Sequence, residues 1–314
     1  MIALLAPGQG SQSPGMLAPW LELEGAEDRV AAWSEVVELD LRRLGTTGSA
    51  EEIKNTAVTQ PLVVALSLLA AEEMARRLDL PADAPVAGHS VGELAAAAVA
   101  GVLTPDEAVT LSAVRGREMA AACALESTGM SAVIGGDPDD VLAVLARLGL
   151  DPANRNGAGQ IVAAGRMEAL AALAEHRPDR ARVMPLPVAG AFHTRFMAPA
   201  EEALALHATQ LTAKDPSRPL LSNADGEVVG EGVEMLRRLV TQVTKPVRWD
   251  SCMARLGALG VTATVELPPS GTLSGLVKRA LRDTITLALK VPDDLDRAVG
   301  LVHDHSGLQS RRPA

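Results

Sequence analysis

The stretch Pro85-Val86-Ala87-Gly88-His89-Ser90-Val91-Gly92-Glu93 decides the fold prediction. Its apolar start predicts a short buried strand, and the alanine-rich segment Glu93–Ala100 predicts a helix. Between them lies Gly88-His89-Ser90-Val91-Gly92, the only GxSxG in the chain. A strand–turn–helix of this type exposes a serine hydroxyl at a helix amino terminus, and it needs glycines because larger side chains would collide. The pattern favours a nucleophilic serine over an ordinary glycine turn.

Strands and helices alternate on both sides of this turn. Ile2–Ala6 is an apolar run stopped by a Pro-Gly pair, which predicts a buried strand. Helical patterns follow at 27–44 and 60–78. Thr104-Pro105-Asp106-Glu107 is a capped helix start, and this helix is expected to end near Cys123. Such alternation predicts an α/β fold with a mainly parallel sheet.

The rhythm changes after residue 129, where the predicted order β-α-β-β-α-β is that of a ferredoxin-like module. Its elements are Met130–Ile134, Pro138–Leu148, Pro152–Arg155, Ile161–Ala164, Met167–His176 and Arg182–Val188. We therefore expect a ferredoxin-like small subdomain at 127–189. It is inserted into an α/β-hydrolase-like large subdomain comprising 1–126 and 190–306. Residues 307–314 are predicted to form a polar tail.

Composition excludes several classes of protein. The 314 residues suit one large domain with an insert, and 29 Lys+Arg against 39 Asp+Glu give a net charge of −10. An acidic chain with 2 Phe, 3 Trp and no Tyr lacks both the positive electrostatic field and the aromatic stacking groups of a nucleic-acid binder. Cys123 and Cys252 lie far apart, which argues against a disulfide framework or zinc site. With no basic leader and no apolar run approaching about 20 residues, we expect a cytoplasmic protein without membrane contact.

The loop Gly8-Gln9-Gly10-Ser11-Gln12 follows the first strand. It fails the dinucleotide-binding pattern because Ser13 replaces the third glycine, and it lacks the GK[ST] of a phosphate loop. A serine nucleophile needs two oxyanion donors, one from the residue after it and one from a loop beside a neighbouring strand. The N–H groups of Val91 and Gln9 suit these roles. A plain glycine turn is the alternative for the second.

Several motifs, spread from about residue 5 to 280, resemble the malonyl-CoA:acyl-carrier-protein transacylase family and occur in family order. They are Pro7-Gly8-Gln9-Gly10-Ser11-Gln12, Thr59-Gln60-Pro61, Gly88-His89-Ser90-Val91-Gly92-Glu93, Val114-Arg115-Gly116-Arg117, Gly190-Ala191-Phe192-His193-Thr194, Ser222-Asn223 and Gln242-Val243-Thr244-Lys245-Pro246-Val247-Arg248-Trp249. The resemblance implies that Ser90 carries a malonyl group from coenzyme A to the phosphopantetheine thiol of an acyl carrier protein. It implies fatty acid or polyketide synthesis, with no metal or redox cofactor.

A nucleophilic serine needs a base within hydrogen-bond reach. Of six histidines, His193 differs because it follows the apolar run Pro187–Phe192, where the chain passes from the small subdomain back to the large one. On the residues alone, a buried, satisfied histidine explains this pattern equally well. The resemblance implies that His193 is the general base. It also implies that the backbone carbonyl of Gln242 orients the imidazole, although an aspartate in that role stays open.

Arg115 lies on an apolar stripe of the helix that starts at Pro105. The stripe comprises Ala108, Leu111, Arg115 and Met119. A guanidinium on that stripe would be buried and would need an anionic partner. The free carboxylate of malonate and an internal glutamate are equal candidates from the residues alone. The resemblance implies the malonyl carboxylate, whereas Arg117, two residues on, is expected to face elsewhere.

Two further residues enter through the resemblance. Gln60 is implied to lie in the substrate site, and Phe192 to favour malonyl over branched methylmalonyl. A core phenylalanine is compatible with the second role. One segment departs from the family, since Glu266–Leu276 replaces two glycines of the usual Glu-x-Gly-Pro-Gly pattern. This departure concerns the geometry of the loop and is not expected to change the chemistry.

Two rival functions remain at this stage, besides a transacylase with another acyl specificity. A serine thioesterase or esterase would share Ser90 and His193 but pass the acyl group to water, and it would have no use for Arg115. A catalytically idle scaffold that binds a carrier protein would need none of the three. For docking an acidic carrier, Arg177, Arg180 and Arg182 form a candidate patch, with a solvated face as the alternative. The chain is expected to be a monomer.

Overall fold

Two β-sheets and twelve α-helices make up the part of the chain that the structure, a computed structural model, describes: residues 1–305. The predicted tail at 307–314 lies outside the described residues. The strands are β1 Ile2–Ala6, β2 Val86–Gly88, β3 Thr128–Gly135, β4 Asp151–Gly157, β5 Gln160–Arg166, β6 Ala181–Pro185, β7 Leu220–Leu221, β8 Val228–Val229, β9 Ala263–Glu266 and β10 Ile285–Ala288. The helices are α1 Ala26–Val37, α2 Leu41–Thr46, α3 Thr56–Arg77, α4 Gly92–Val99, α5 Pro105–Cys123, α6 Pro138–Arg147, α7 Met167–Glu175, α8 Ala198–Ala208, α9 Gly232–Thr241, α10 Trp249–Ala258, α11 Thr272–Ala280 and α12 Leu295–His305.

The large sheet has the strand order β10-β9-β1-β2-β7-β8, and all its pairs are parallel except β7–β8. Alternate residues of β1 enter different cores: Ile2 and Leu4 face one, whereas Ala3 and Leu5 face the other. Both faces of the sheet are therefore covered, as expected for a parallel sheet. In the register of β1 with β2, Ala6 pairs with Gly88. The loops that follow these two strands consequently start side by side, which places the functional site.

The small sheet has the order β4-β5-β3-β6 with antiparallel neighbours throughout. With α6 and α7 it forms the β-α-β-β-α-β arrangement of a ferredoxin-like module, as predicted. The small sheet touches the large body through β4. Arg155 N–H donates to Val247 O at 2.9 Å, and Val247 N–H donates to Ala153 O at 2.8 Å. The α/β fold class with a ferredoxin-like insertion is confirmed.

Two element predictions were wrong in detail. The helix expected at 27–44 is two helices, because Glu38 adopts a left-handed φ of 55° after α1 and the Asp40 side chain caps α2. The strand expected at Arg182–Val188 ends at Pro185. The start of α5 is confirmed in full. Thr104 Oγ1 accepts the Glu107 N–H at 3.2 Å, while the Glu107 carboxylate accepts the Thr104 N–H at 2.7 Å.

The expectation that no segment approaches a membrane span also needs correction. By length and composition α3 is long and apolar enough to cross a membrane, but 72% of its most apolar window is buried inside the protein. It packs along α5 in the larger core. Its apolar character is accounted for by this burial.

Candidate active site

Ser90 lies on the bend between β2 and α4 in a left-handed conformation, with φ at 54°. A Cβ at Gly88 would collide with the Gly92 backbone, and one at Gly92 would collide with the Ala6 carbonyl. Both glycines of the motif are thus required by close backbone approach. A strained φ at a non-glycine residue is typical of sites where the surrounding structure holds a functional group in place.

His193 faces the serine from a segment 103 residues away. Its Nε2 lies 2.7 Å from Ser90 Oγ, and its Nδ1 lies 2.8 Å from the carbonyl oxygen of Gln242. A carbonyl can only accept, so Nδ1 carries the proton and Nε2 is free to accept one from the serine. Among residues 1–305 no carboxylate contacts this imidazole. The structure therefore brings together a Ser–His pair oriented by a backbone group.

The environment keeps His193 neutral. Only 3% of the residue is exposed, and φ is 61°. Burial, and then the positive charge of Arg115, lower the pKa of His193 to about 3. The imidazole is therefore unprotonated near neutral pH, which is the state that a general base requires.

Arg115 points its guanidinium at the serine from α5. It is 2% exposed; Nη1 donates to Gln60 Oε1 at 2.7 Å, and Nη2 donates to Gln242 Oε1 at 2.8 Å. Nη2 also lies 3.3 Å from Ser90 Oγ. Burial lowers the pKa of Arg115 to about 10, so it stays charged at neutral pH. Within residues 1–305 it forms no direct ion pair with a carboxylate, so a buried cation faces the serine with neutral amides as its direct partners.

The two candidate oxyanion donors lie on adjoining loops. His89 N–H donates to Ala6 O at 3.0 Å, and Gly8 packs against the His89 carbonyl. The amino-terminal loop therefore lies along the nucleophile turn. In the described part of the chain, the N–H groups of Gln9 and Val91 have no protein acceptor. Both remain available to an oxygen atom of a ligand.

The comparisons with known proteins agree with this geometry. The model of the family described as "Acyl transferase domain" matches residues 4–310. The chain belongs to the acyl transferase domain family. It is 59% identical to the malonyl CoA-acyl carrier protein transacylase of Mycobacterium tuberculosis over 302 residues, which cover 96% of this chain and 100% of the relative. The Escherichia coli protein of the same name is 34% identical over 307 residues, covering 95% of this chain and 99% of the relative.

Solved structures of malonyl transacylases are also similar to this acyl transferase. The crystal structure of MCAT from Mycobacterium tuberculosis matches with a TM-score of 0.92 at 59% identity, covering 95% of this chain and 99% of that one. A type II PKS acyl-carrier protein in complex with its malonyl-transacylase matches with a TM-score of 0.88 at 30% identity. It covers 96% of this chain and 99% of that one.

Asn223 supports the Ser90 turn of this acyl transferase, a role that was not predicted from the sequence. Its Oδ1 accepts the Ser90 N–H at 2.8 Å, and its Nδ2 donates to Gly88 O at 2.7 Å. Asn223 is fully buried just after β7, the strand beside β2. A polar Ser222-Asn223 pair after a short apolar run was the available signal. Glu93 was also missed, although it closes the serine motif; its buried carboxylate contacts Asn223 and Gln242.

Three further predicted residues, and His89 beside the nucleophile, take less direct positions. Gln60 is buried and reaches the site through Arg115. Phe192 is 6% exposed and belongs to the larger hydrophobic core, so its influence on substrate choice stays a prediction. Arg117 is exposed and pairs with Glu118 at 3.1 Å, away from the stripe that holds Arg115. His89 stacks edge-on against Trp249 and lies 2.9 Å from Asn156 Oδ1 in the small subdomain.

Proposed function

We propose that this chain is a malonyl-CoA:acyl-carrier-protein S-malonyltransferase that works through a malonyl ester on Ser90. The observation that carries the proposal is the position of one atom: Ser90 Oγ lies 2.7 Å from His193 Nε2 and 3.3 Å from Arg115 Nη2. A base and a carboxylate-binding cation thus converge on the same hydroxyl. Relatives bearing this activity in their names support the assignment over nearly the whole chain.

The first half-reaction forms the ester. His193 Nε2 takes the hydroxyl proton as Ser90 Oγ attacks the thioester carbonyl of malonyl-CoA. The tetrahedral intermediate collapses with cleavage of the carbon–sulfur bond, and the imidazolium gives its proton to the departing coenzyme A thiolate. The N–H groups of Gln9 and Val91 hold the oxyanion, and each such donor contributes roughly 3 kcal/mol to lowering the barrier.

The second half-reaction mirrors the first. The phosphopantetheine thiol of the acyl carrier protein gives its proton to His193 and attacks the ester carbonyl. The malonyl thioester of the carrier leaves, and the proton returns to Ser90. These steps use no metal or redox cofactor, and the product serves fatty acid or polyketide synthesis.

Arg115 distinguishes this reaction from hydrolysis of a neutral ester. Its rigid fork suits bidentate binding of the free malonyl carboxylate, and Gln60 holds the guanidinium from the other side. Phe192 is proposed to disfavour an acyl group branched at the α-carbon. A thioesterase for neutral esters, the second candidate, would gain nothing from a buried cation beside its nucleophile.

Intact-mass measurement after mixing with malonyl-CoA tests the proposal. Wild type should gain one malonyl group, and Ser90→Ala should gain none. Arg115→Ala should lose acylation by malonyl-CoA, whereas Arg117→Ala, which removes an exposed arginine two residues away, should behave as wild type. Absence of the adduct on wild type, or equal malonyl acylation of Arg115→Ala and wild type, would count against the transferase.

We also propose a surface for the carrier protein and a cytoplasmic location. Arg177, Arg180 and Arg182 are exposed at the edge of the small subdomain and suit an acidic carrier protein. Charge reversal at these three positions should weaken transfer to the carrier but leave formation of the Ser90 ester unchanged. Equal transfer by the reversed variant would remove the patch from the proposal. A cytoplasmic monomer is expected, and light scattering of the purified protein tests the monomer.

A further inference from the structure

Glu93 is a buried carboxylate three residues after Ser90, in the first turn of α4. It is 1% exposed, and within residues 1–305 no cation lies at ion-pair distance from it. One carboxylate oxygen accepts the Asn223 N–H at 2.5 Å, and the other contacts Nε2 of Gln242. A buried charge without a direct counter-ion is costly, so these donors are the main stabilisation it receives.

The two partners of Glu93 hold Ser90 from both sides. The Asn223 side chain accepts the Ser90 N–H at 2.8 Å, and Gln242 Nε2 donates to Ser90 O at 3.1 Å. Gln242 also accepts from Arg115 through its side-chain oxygen and from His193 through its carbonyl. One residue thus joins the nucleophile, the base and the guanidinium.

The direction of the Gln242 amide depends on the charge of Glu93. An ionised carboxylate is acceptor-only, so the NH₂ end of the amide must face it, and the oxygen then faces Arg115. A protonated or amide side chain at position 93 has one donor end, whereas both of its partners, the Asn223 N–H and that NH₂ group, are donors. One of the two contacts would then bring two donors together. Turning the amide over would relieve this clash, but it would set NH₂ against the guanidinium, which is also donor-only. Only the carboxylate satisfies the whole chain of contacts.

We infer that Glu93 is a positioning residue whose carboxylate fixes the Gln242 amide and thereby aims Arg115 at the acyl group on Ser90. This inference rests on the proposed malonyl transfer and deepens it. Glu93 touches no substrate atom; it acts through Gln242 and, on the serine itself, through Asn223. Selectivity for a free carboxylate is its expected contribution.

The charged groups around Glu93 set its protonation. Burial raises the pKa of Glu93 to about 8, against the lowering effects of its hydrogen bonds and of Arg115 on α5 and Arg238 on α9. Cys252 on α10 and His193 face the same cluster. Burial raises the pKa of Cys252 and lowers the pKa of His193, which favours the neutral form of each. The ionised form of Glu93 therefore gains population as pH rises toward 8.

The test compares Glu93→Gln with Glu266→Gln. Glu266 is a second fully buried glutamate, but it is the last residue of β9, and within residues 1–305 its carboxylate accepts only the N–H groups of Leu273 and Ser274. Acylation rates are measured by intact mass against concentration for malonyl-CoA and for acetyl-CoA, which lacks the carboxylate. For Glu93→Gln, the ratio of kcat/KM for malonyl to that for acetyl should fall roughly tenfold, the effect of losing one hydrogen bond to a charged group. For Glu266→Gln the ratio should stay within about twofold of wild type.

A pH profile of the same half-reaction supplies the second readout. Wild-type acylation by malonyl-CoA should rise with pH toward about 8. In Glu93→Gln this rise should be absent. If Glu93 only supported the fold, its replacement would not change the pH dependence of acylation.

The outcomes separate the inference from the proposed function. Absence of a malonyl adduct on wild type would contradict both the proposed malonyl transfer and the role of Glu93. An adduct on wild type, with an unchanged malonyl-to-acetyl ratio or an unchanged pH rise in Glu93→Gln, would end only the role of Glu93. If Glu93→Gln does not fold, Glu93→Asp decides. It keeps the charge and should keep the malonyl preference while slowing both substrates, and loss of that preference would overturn the inference.

Discussion

Two turns at the same edge of the large sheet each contain a buried glutamate, but they satisfy its carboxylate in opposite ways. At the end of β9, Glu266 accepts the N–H groups of Leu273 at 2.9 Å and Ser274 at 2.7 Å, at the start of the helix that follows. After β2, Glu93 is bound by Asn223 and Gln242, which lie 130 and 149 residues along the chain. One carboxylate caps its own helix, and the other ties together distant segments.

This difference shows how the fold separates stability from function. The Glu266 carboxylate needs only the helix that follows it, because helix amino termini offer unpaired N–H groups to a carboxylate. Its loop, which departs from the family glycine pattern, is anchored by Ser270 Oγ to Leu289 O at 2.6 Å, and Gly271 alone has positive φ. The Ser90 turn instead depends on contacts that exist only once the whole domain has folded. Substitutions should therefore affect the two turns differently.

The largest effect is expected from removing His193, the base that contacts Ser90 from a distant segment. His193→Ala should lower the rate of malonyl transfer by about 10² to 10⁴, the usual contribution of a general base. Transfer is measured with malonyl-CoA and a phosphopantetheinylated carrier. His207→Ala, on α8, is the control and should keep the wild-type rate. A His193→Ala rate within about tenfold of wild type would contradict this assignment.

A smaller effect is expected from Asn223→Ala, which removes the acceptor of the Ser90 N–H and the donor to Gly88 O. Each loss leaves a buried backbone group unpaired, at a cost of about 1–3 kcal/mol. The rate of acylation should fall roughly tenfold or more, and the free energy of unfolding should fall as well. Asn154→Ala in the small sheet is the control, since its side-chain oxygen has no partner in the described residues. A wild-type rate in Asn223→Ala would show that Ser90 needs no such support.

The third prediction concerns the other turn and is an effect on stability alone. Glu266→Ala leaves two buried N–H groups at the start of α11 without an acceptor. The free energy of unfolding should fall by about 1–3 kcal/mol for each N–H group, measured by denaturant titration, while acylation stays within about twofold of wild type. A large loss of acylation in a folded Glu266→Ala protein would abolish the distinction between the turns.

The smallest effect is a pH dependence of stability. The pKa of His193 is about 3 in the folded protein, below its ordinary 6.5, so its contribution is complete above pH 6.5 and is lost as pH falls toward 3. Glu93 contributes to the pH dependence of stability with the opposite sign. Its pKa is raised from 4.5 to about 8, so its burial destabilises the fold increasingly as pH rises between these two values.

Comparing wild type with His193→Gln isolates the histidine, because Glu93 is present in both. Between pH 7 and pH 5 wild type should lose up to about 2 kcal/mol more stability than the variant. Thermal unfolding at the two pH values measures this difference. Equal losses would mean that His193 is not held neutral by the fold.

The sequence predicted some parts of the site for local reasons. The GxSxG turn needs glycines at two positions, and its neighbours form a strand and a helix by their own patterns. The spacing on α5 placed Arg115 on a buried stripe, and it is 2% exposed. His193 and Gln242 could be proposed only by resemblance, because nothing near them in sequence specifies what they face.

By itself, then, the sequence determined the elements, the bend that exposes Ser90 and the burial of Arg115. These depend on periodicity and on steric limits within a few residues. Only the tertiary structure decided which groups meet at the hydroxyl: His193 at 103 residues' separation, and Asn223 at 133. Asn223 reaches the Ser90 turn because β2 and β7 are parallel neighbours that end at one edge of the sheet, whereas His193 lies on the segment that follows β6. Both positions depend on contacts between distant parts of the chain.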